Sequence, residues 1–168
     1  MPIYMKIEDD KGKIVVPGDV TACDHYQWIE LHSCQLGTAR RTSSPTGGSG
    51  DRETSKPALS EIVCTKDQDI ASAKLFQLSL SGEAYKVTID FMKTEKGVAA
   101  PYLSLTLENT LISNYSLSGA GGAGHDRPME SLTLNTTSIK YTTKPTSTRP
   151  PDGSPDQVMW DVATASML

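Results

Sequence analysis

Where apolar residues in this chain recur regularly they do so at every second position, with one short exception, and that rule constrains the fold more than any other feature. Residues 3–8, IYMKIE, put Ile3, Met5 and Ile7 on one face and Tyr4, Lys6 and Glu8 on the other, the pattern of a half-buried strand. In residues 86–93, Val87, Ile89 and Phe91 share a face, and in residues 102–109, Leu103, Leu105 and Leu107 do. Residues 111–117 follow directly, so the two runs are expected to form one long bent strand. Residues 28–36, 59–65 and 158–164 read as further strands. Neither face of 28–36, WIELHSCQL, is cleanly apolar, so both are expected to be partly covered. Residues 131–143 read as one more strand. Its apolar parity is even at Leu132 and Leu134 but odd at Ile139 and Tyr141. A slip of one residue turns every side chain over, so a bulge or kink is expected between 134 and 139.

The exception to period two is residues 69–81, the one convincing helix. Asp69 can accept hydrogen bonds from the first free backbone N–H groups. Gly82 has no Cβ and can take the left-handed conformation that closes a last turn. Between them lie two apolar stripes, Ala71, Leu75 and Leu78, and Ala73, Phe76 and Leu80, while Lys74 and Gln77 share a third face. A helix on the surface of a lone domain usually shows one stripe. Two stripes fit contact with a neighbouring subunit, or deeper burial in the helix's own core.

These elements predict a single mainly β domain over residues 1–168: a β-barrel or sandwich of about eight strands with one flanking α-helix. Two segments lack apolar periodicity, an extended loop at 38–58 and a Pro-rich loop at 145–157. A loop as long as the first usually has a function or is disordered.

Composition removes several functions. Charged residues are 21% and the net charge is −4, with no basic run interleaved with aromatics, so no nucleic-acid groove is expected. No apolar run approaches the ~20 residues of a membrane helix. The first residues, MPIYMKIEDDKGK, carry acids where a secretory signal has a basic leader and an apolar stretch. A cytoplasmic chain is expected, leaving the cell, if at all, without a signal peptide. Three cysteines, Cys23, Cys34 and Cys64, cannot all pair within one chain, in keeping with a reducing compartment.

The sharpest chemical candidates are Cys23-Asp-His25 and His32-Ser-Cys34. On strands, residues two apart point the same way, so each pair could offer two zinc ligands. The competing reading is stronger, because free cysteine behaves as a small core hydrophobe. No metal or cofactor is assigned. No Gly-x-Ser-x-Gly or other nucleophile signature is present. The run GAGGAG at 119–124 lacks the ending and the following helix of a phosphate loop. His125 reads as a solvated loop residue. Glu30, Glu108 and Glu130 fall on or beside strands, with nothing to fix their separation. No enzyme activity is expected.

With the residues laid out, the segment 52–82 resembles the signature of the Hcp family, the haemolysin co-regulated proteins of the bacterial type VI secretion system. The resemblance is carried by Ser55-Lys56-Pro57, Ser60-Glu61-Ile62, Thr65-Lys66, Asp69, Ala71-Ser72, Leu75-Phe76 and Gly82. Further matches are Ile29-Glu30 leading to Gly37, Arg127-Pro128-x-Glu130-Ser131, and Trp160-Asp161. His32 and Cys34 depart from the pattern, standing where large apolar or aromatic residues are usual. The resemblance implies a tube subunit that forms hexameric rings with copies of itself. It implies rings that stack, a contractile sheath that expels them, a spike protein at the tip, and effector proteins as cargo. It involves neither nucleic acid nor membrane insertion. The assembly residues expected on this reading are Arg40, Arg41, Arg52, Glu53 and Lys56 in and beside the long loop, with Lys74 and Gln77 on the helix. The alternatives are a monomeric ligand-binding β-sandwich and a metal-dependent hydrolase using Cys23, His25, His32 and Cys34. Two Trp and an aromatic content of 6% argue against a sugar platform.

Overall fold

Period-two patterning dominates the sequence, and strands dominate the structure, a computed structural model that describes residues 1–41, 55–95, 97–122, 127–144 and 156–168. In chain order they are β1 (Ile3–Glu8), β2 (Ile29–Leu31), β3 (Ser33–Gln35), β4 (Thr38–Ala39), β5 (Ala58–Leu59), β6 (Ile62–Asp67), β7 (Tyr85–Glu95), β8 (Val98–Ser118), β9 (Met129–Asn135), β10 (Ser138–Thr143), β11 (Asp156–Asp161) and β12 (Ser166–Met167). The single α-helix among the described residues, α1 (Ser72–Ser81), lies between β6 and β7, and a 3-10 turn spans Cys23–His25.

Two antiparallel ladders share β8. One runs β12-β11-β10-β8-β7-β1-β2, and the other β3-β6-β9-β8. The runs at 102–109 and 111–117 are indeed one strand. Its first half pairs β7 and β10, and its second half pairs β9. The bend falls at Asn109, with φ +47°, a left-handed conformation that asparagine tolerates better than most residues.

Beside that bend, the expected single strand at 131–143 breaks into β9 and β10, which belong to different ladders. The parity change is therefore a change of sheet rather than a bulge. Thr136 Oγ1 lies 2.8 Å from the carbonyl oxygens of both Glu108 and Ser138, satisfying backbone at the crossing. Residues 28–36 divide in the same way. β2 pairs β1, while β3 pairs β6, and His32 N–H already donates to Thr65 O at 2.8 Å. Neither face looked apolar because each half buries a different parity.

The expected loop at 38–58 is stapled at its base, where Thr38 pairs Leu59 and Ala39 pairs Ala58; residues 42–54 lie outside the described residues. Of the loop expected at 145–157, Asp156 and Gln157 belong to β11, and residues 145–155 lie outside the described residues. The GAGGAG run and His125 fall partly or wholly on residues 123–126, also outside them. The final strand stops at Asp161, whose Oδ1 accepts the N–H groups of Ala163 and Thr164 and turns the chain back into β12.

Both ladders and α1 contribute to one core, including Met5, Ile29, Ile62, Leu75, Ile89, Leu105, Leu107 and Leu132.

Candidate functional site

Helix α1 begins at Ser72, three residues later than the sequence suggests, with Ala71 at its N-cap and no side-chain cap there, and Asp69 instead organises the turn that leads in. Its Oδ1 accepts the N–H of Ala71 at 2.9 Å, and its own N–H donates to Ser72 Oγ at 2.9 Å. Each group satisfies a backbone donor just ahead of the first turn. At the other end Gly82 adopts φ +66° and donates its N–H to Leu78 O.

The turn leading into the helix is tied to the sheet beneath by a buried cation. Lys66 on β6 is wholly buried, and its Nζ donates to Asp69 Oδ1 at 2.8 Å, Glu130 Oε2 at 2.8 Å and Asp67 O at 2.6 Å. An ammonium has three protons, and all three are used. Glu130, directly opposite Lys66 in the β6–β9 ladder, is also wholly buried. Its second oxygen accepts Tyr115 Oη–H at 2.7 Å. Burial pushes the Glu130 carboxyl up, but hydrogen bonds from Lys66, Ser72 and Tyr115 and the Lys66 charge outweigh burial and hold it below its ordinary value. Burial and the Glu130 carboxylate push the Tyr115 phenol up to about 12. Lys66, Asp69, Ser72 and Glu130, separated in sequence, are all among the residues that carry the family resemblance.

This anchor fixes which face of α1 points outward. Ala71, Leu75 and Leu78 are buried, whereas Phe76 is 51% and Leu80 72% exposed, with Ile70 at 66% just before the helix. Of the two stripes, the second is not sunk in the core of the subunit. Phe76 leans on Tyr115 with ring centroids 5.5 Å apart. The result is an apolar ridge mounted on a rigid base. Elsewhere, Leu36, Leu59, Ile139, Val158 and Trp160 line an apolar groove of about 410 Å³.

The residues expected to carry assembly scatter around these features. Lys74 and Gln77 come together on α1, where Lys74 Nζ donates to Gln77 Oε1 at 3.1 Å. Arg40 is exposed at the rim of the groove, and Arg41 and Lys56 are exposed nearby in sequence beyond β4 and before β5. Arg52 and Glu53 lie outside the described residues.

The metal candidates do not converge. Cys23 is exposed, while His25 is buried and its Nε2 bonds Asp90 Oδ2 at 2.9 Å. His32 pairs at the surface with Asp67, and Cys34 faces Cys64. Among the described residues no three potential metal ligands cluster. Nor do the three glutamates form an acid–base pair. Glu130 is engaged by Lys66, Glu108 lies near Lys86, and Glu30 is exposed on β2. Among the described residues no helix is long and apolar enough to cross a membrane.

The Lys66–Glu130 pair was missed by sequence reasoning, although a signal existed. Ile62, Cys64 and Lys66 share one parity on β6, and Glu130, Leu132 and Leu134 share one on β9. A charge continuing an apolar parity on each of two strands marks a candidate buried pair.

Solved structures share this fold. A type six secretion system protein superposes with a TM-score of 0.85 at 24% identity, covering 99% of this chain and 99% of that one. Hcp1 from Salmonella typhimurium gives 0.73 at 18% identity over 100% of both chains. Hcp1 from the E. coli EAEC 042 pathovar gives 0.72 at 19% identity, over 94% and 97%. At these identities the likeness establishes the fold. No curated protein matches the sequence. The sequence profile described as "Type VI secretion system effector, Hcp" matches residues 4–142. With most of its length inside that match and its fold shared throughout, the chain belongs to the Hcp family of the type VI secretion system.

Proposed function

We propose that the protein is a ring-forming subunit of the secretion tube, made in the cytoplasm and expelled with the tube without a signal peptide. Six copies close into a ring, rings stack, and the lumen carries effector proteins behind a spike when the sheath contracts. The observation that carries this reading is the exposed second stripe of α1, Phe76 and Leu80, held outward by a fully satisfied buried anchor. An exposed apolar patch on a rigid base marks a contact surface. A closed ring built from one kind of chain uses two unlike surfaces, one at each side of the subunit. The ridge on α1 and the groove beside Trp160 are two such surfaces. Arg40, Arg41, Lys56, Lys74 and Gln77, with Arg52 and Glu53, supply the polar rim on this reading.

Light scattering after size exclusion is expected to give a hexamer, and negative-stain microscopy six-fold annuli. Leu80→Asp is expected to give a folded monomer, because a charge at this exposed position disturbs only a contact between copies. A wild type that stays monomeric at every concentration would remove the proposal. Deleting residues 42–51 is expected to spare the ring and weaken stacking.

A further inference from the structure

Cys34 and Cys64 stand directly opposite one another in the antiparallel β3–β6 ladder. Opposed residues on neighbouring strands direct their side chains to the same face. Here that face is the core, where Cys64 is fully buried and Cys34 packs half-buried against the same cluster. Cα atoms at such positions lie about 4.5–5.5 Å apart. That falls inside the ~4.4–6.8 Å that a disulfide spans. A hydrogen bond from Cys64 lowers the Cys34 thiol, and the same bond, with burial, pushes Cys64 well up. Cys34 is thus both the more accessible thiol and the better nucleophile of the two. β3 is three residues long and, among the described residues, pairs with β6 alone. A short edge strand of this kind opens locally at low cost, which admits a small reagent.

We propose that Cys34 and Cys64 form a thiol–disulfide site, closing into a cross-strand disulfide when the protein meets a small-molecule disulfide such as oxidised glutathione. The Cys34 thiolate attacks one sulfur of the reagent. Its S–S bond breaks, one thiolate leaves and takes up a proton, and a mixed disulfide remains on Cys34. Cys64 then gives up its proton, and its sulfur attacks Cys34 Sγ, releasing the second half of the reagent as a thiol. Two protein thiols are oxidised and one disulfide is reduced to two thiols. The pair stays reduced in a reducing compartment and closes in an oxidising one, bracing β3 against β6. The inference stands on this ladder alone and does not require ring formation.

The test equilibrates fully reduced whole protein with oxidised glutathione, quenches in acid, and counts thiols by alkylation and intact mass. The wild type is expected to lose the mass of two hydrogens and to keep one of its three thiols, Cys23, with all three restored by dithiothreitol. Non-reducing peptide mapping is expected to link the Cys34 peptide to the Cys64 peptide. Cys23→Ser forms the same bridge, and Cys34→Ser does not. The melting temperature rises on oxidation in the wild type and not in Cys34→Ser. Cys34 and Cys64 that both remain alkylatable, a glutathione adduct on Cys34 that never resolves, or a bridge that includes Cys23 would each overturn the proposal. The wild-type map decides the matter even if variants in the core fold poorly.

Discussion

Replacing Lys66 by methionine removes the cation that pairs with wholly buried Glu130 and with Asp69 in the turn leading into the helix. Methionine fills similar space, so little of the effect comes from packing. The cost arises because Glu130 keeps neutral hydroxyl partners, Tyr115 and Ser72, but loses its ammonium, while Asp69 loses the same partner. Breaking a buried ion pair by removing one partner costs about 3–5 kcal/mol. That is a large share of the roughly 5–15 kcal/mol that holds an ordinary domain together. At ~2–4 °C per kcal/mol for a chain of this size, melting should fall by roughly 6–20 °C. Urea unfolding, followed by the fluorescence of buried Trp28, measures the loss. All variants are compared at one protein concentration, since any self-association would add stabilisation of its own. The double variant Lys66→Met, Glu130→Leu is expected to be more stable than Lys66→Met alone, because no uncompensated carboxylate is left on β9. Additive costs, or a loss below about 1 kcal/mol in Lys66→Met, would refute the assignment of Lys66 and Glu130 as a coupled anchor.

The folded Glu130 carboxyl lies below its unfolded value, so its contribution is fully present above the ordinary glutamate range and is lost as pH falls through the folded value. Glu130→Gln should therefore be less stable than wild type at neutral pH, and the gap should narrow in acid titrations of the unfolding midpoint. Gly18→Ala places a Cβ 2.3 Å from Trp28 O, backbone that cannot swing aside, so a destabilisation at or above the ~1–3 kcal/mol typical of overpacking is expected by urea melt. Asp90→Ala removes the hydrogen-bond partner of buried His25 and should cost about 1–3 kcal/mol, read the same way. Phe76→Asp should behave as Leu80→Asp does, losing rings in negative stain while keeping the wild-type strand spectrum by circular dichroism.

Much of the architecture was legible in local pattern. Period two located β1, β6, β7 and both halves of β8, because a strand that buries one face must alternate whatever it packs against. The same logic placed the helix and its Gly82 end, though the start falls at Ser72 rather than at Asp69, since free C=O groups at a terminus demand specific local partners. The parity change between Leu134 and Ile139 was visible too, but its meaning was not. A bulge and a change of sheet leave the same trace in one strand, and only the pairing of β9 with β6 and of β10 with β11 separates them.

The sequence by itself determined a β-rich chain with one two-striped helix and no recognisable catalytic constellation. Which stripe faces the core, whether Cys34 meets Cys64, and whether Lys66 meets Glu130 were decided by tertiary structure alone. Each depends on strand register between segments far apart in the chain, and register is set by the packing of whole faces rather than by any local run of residues.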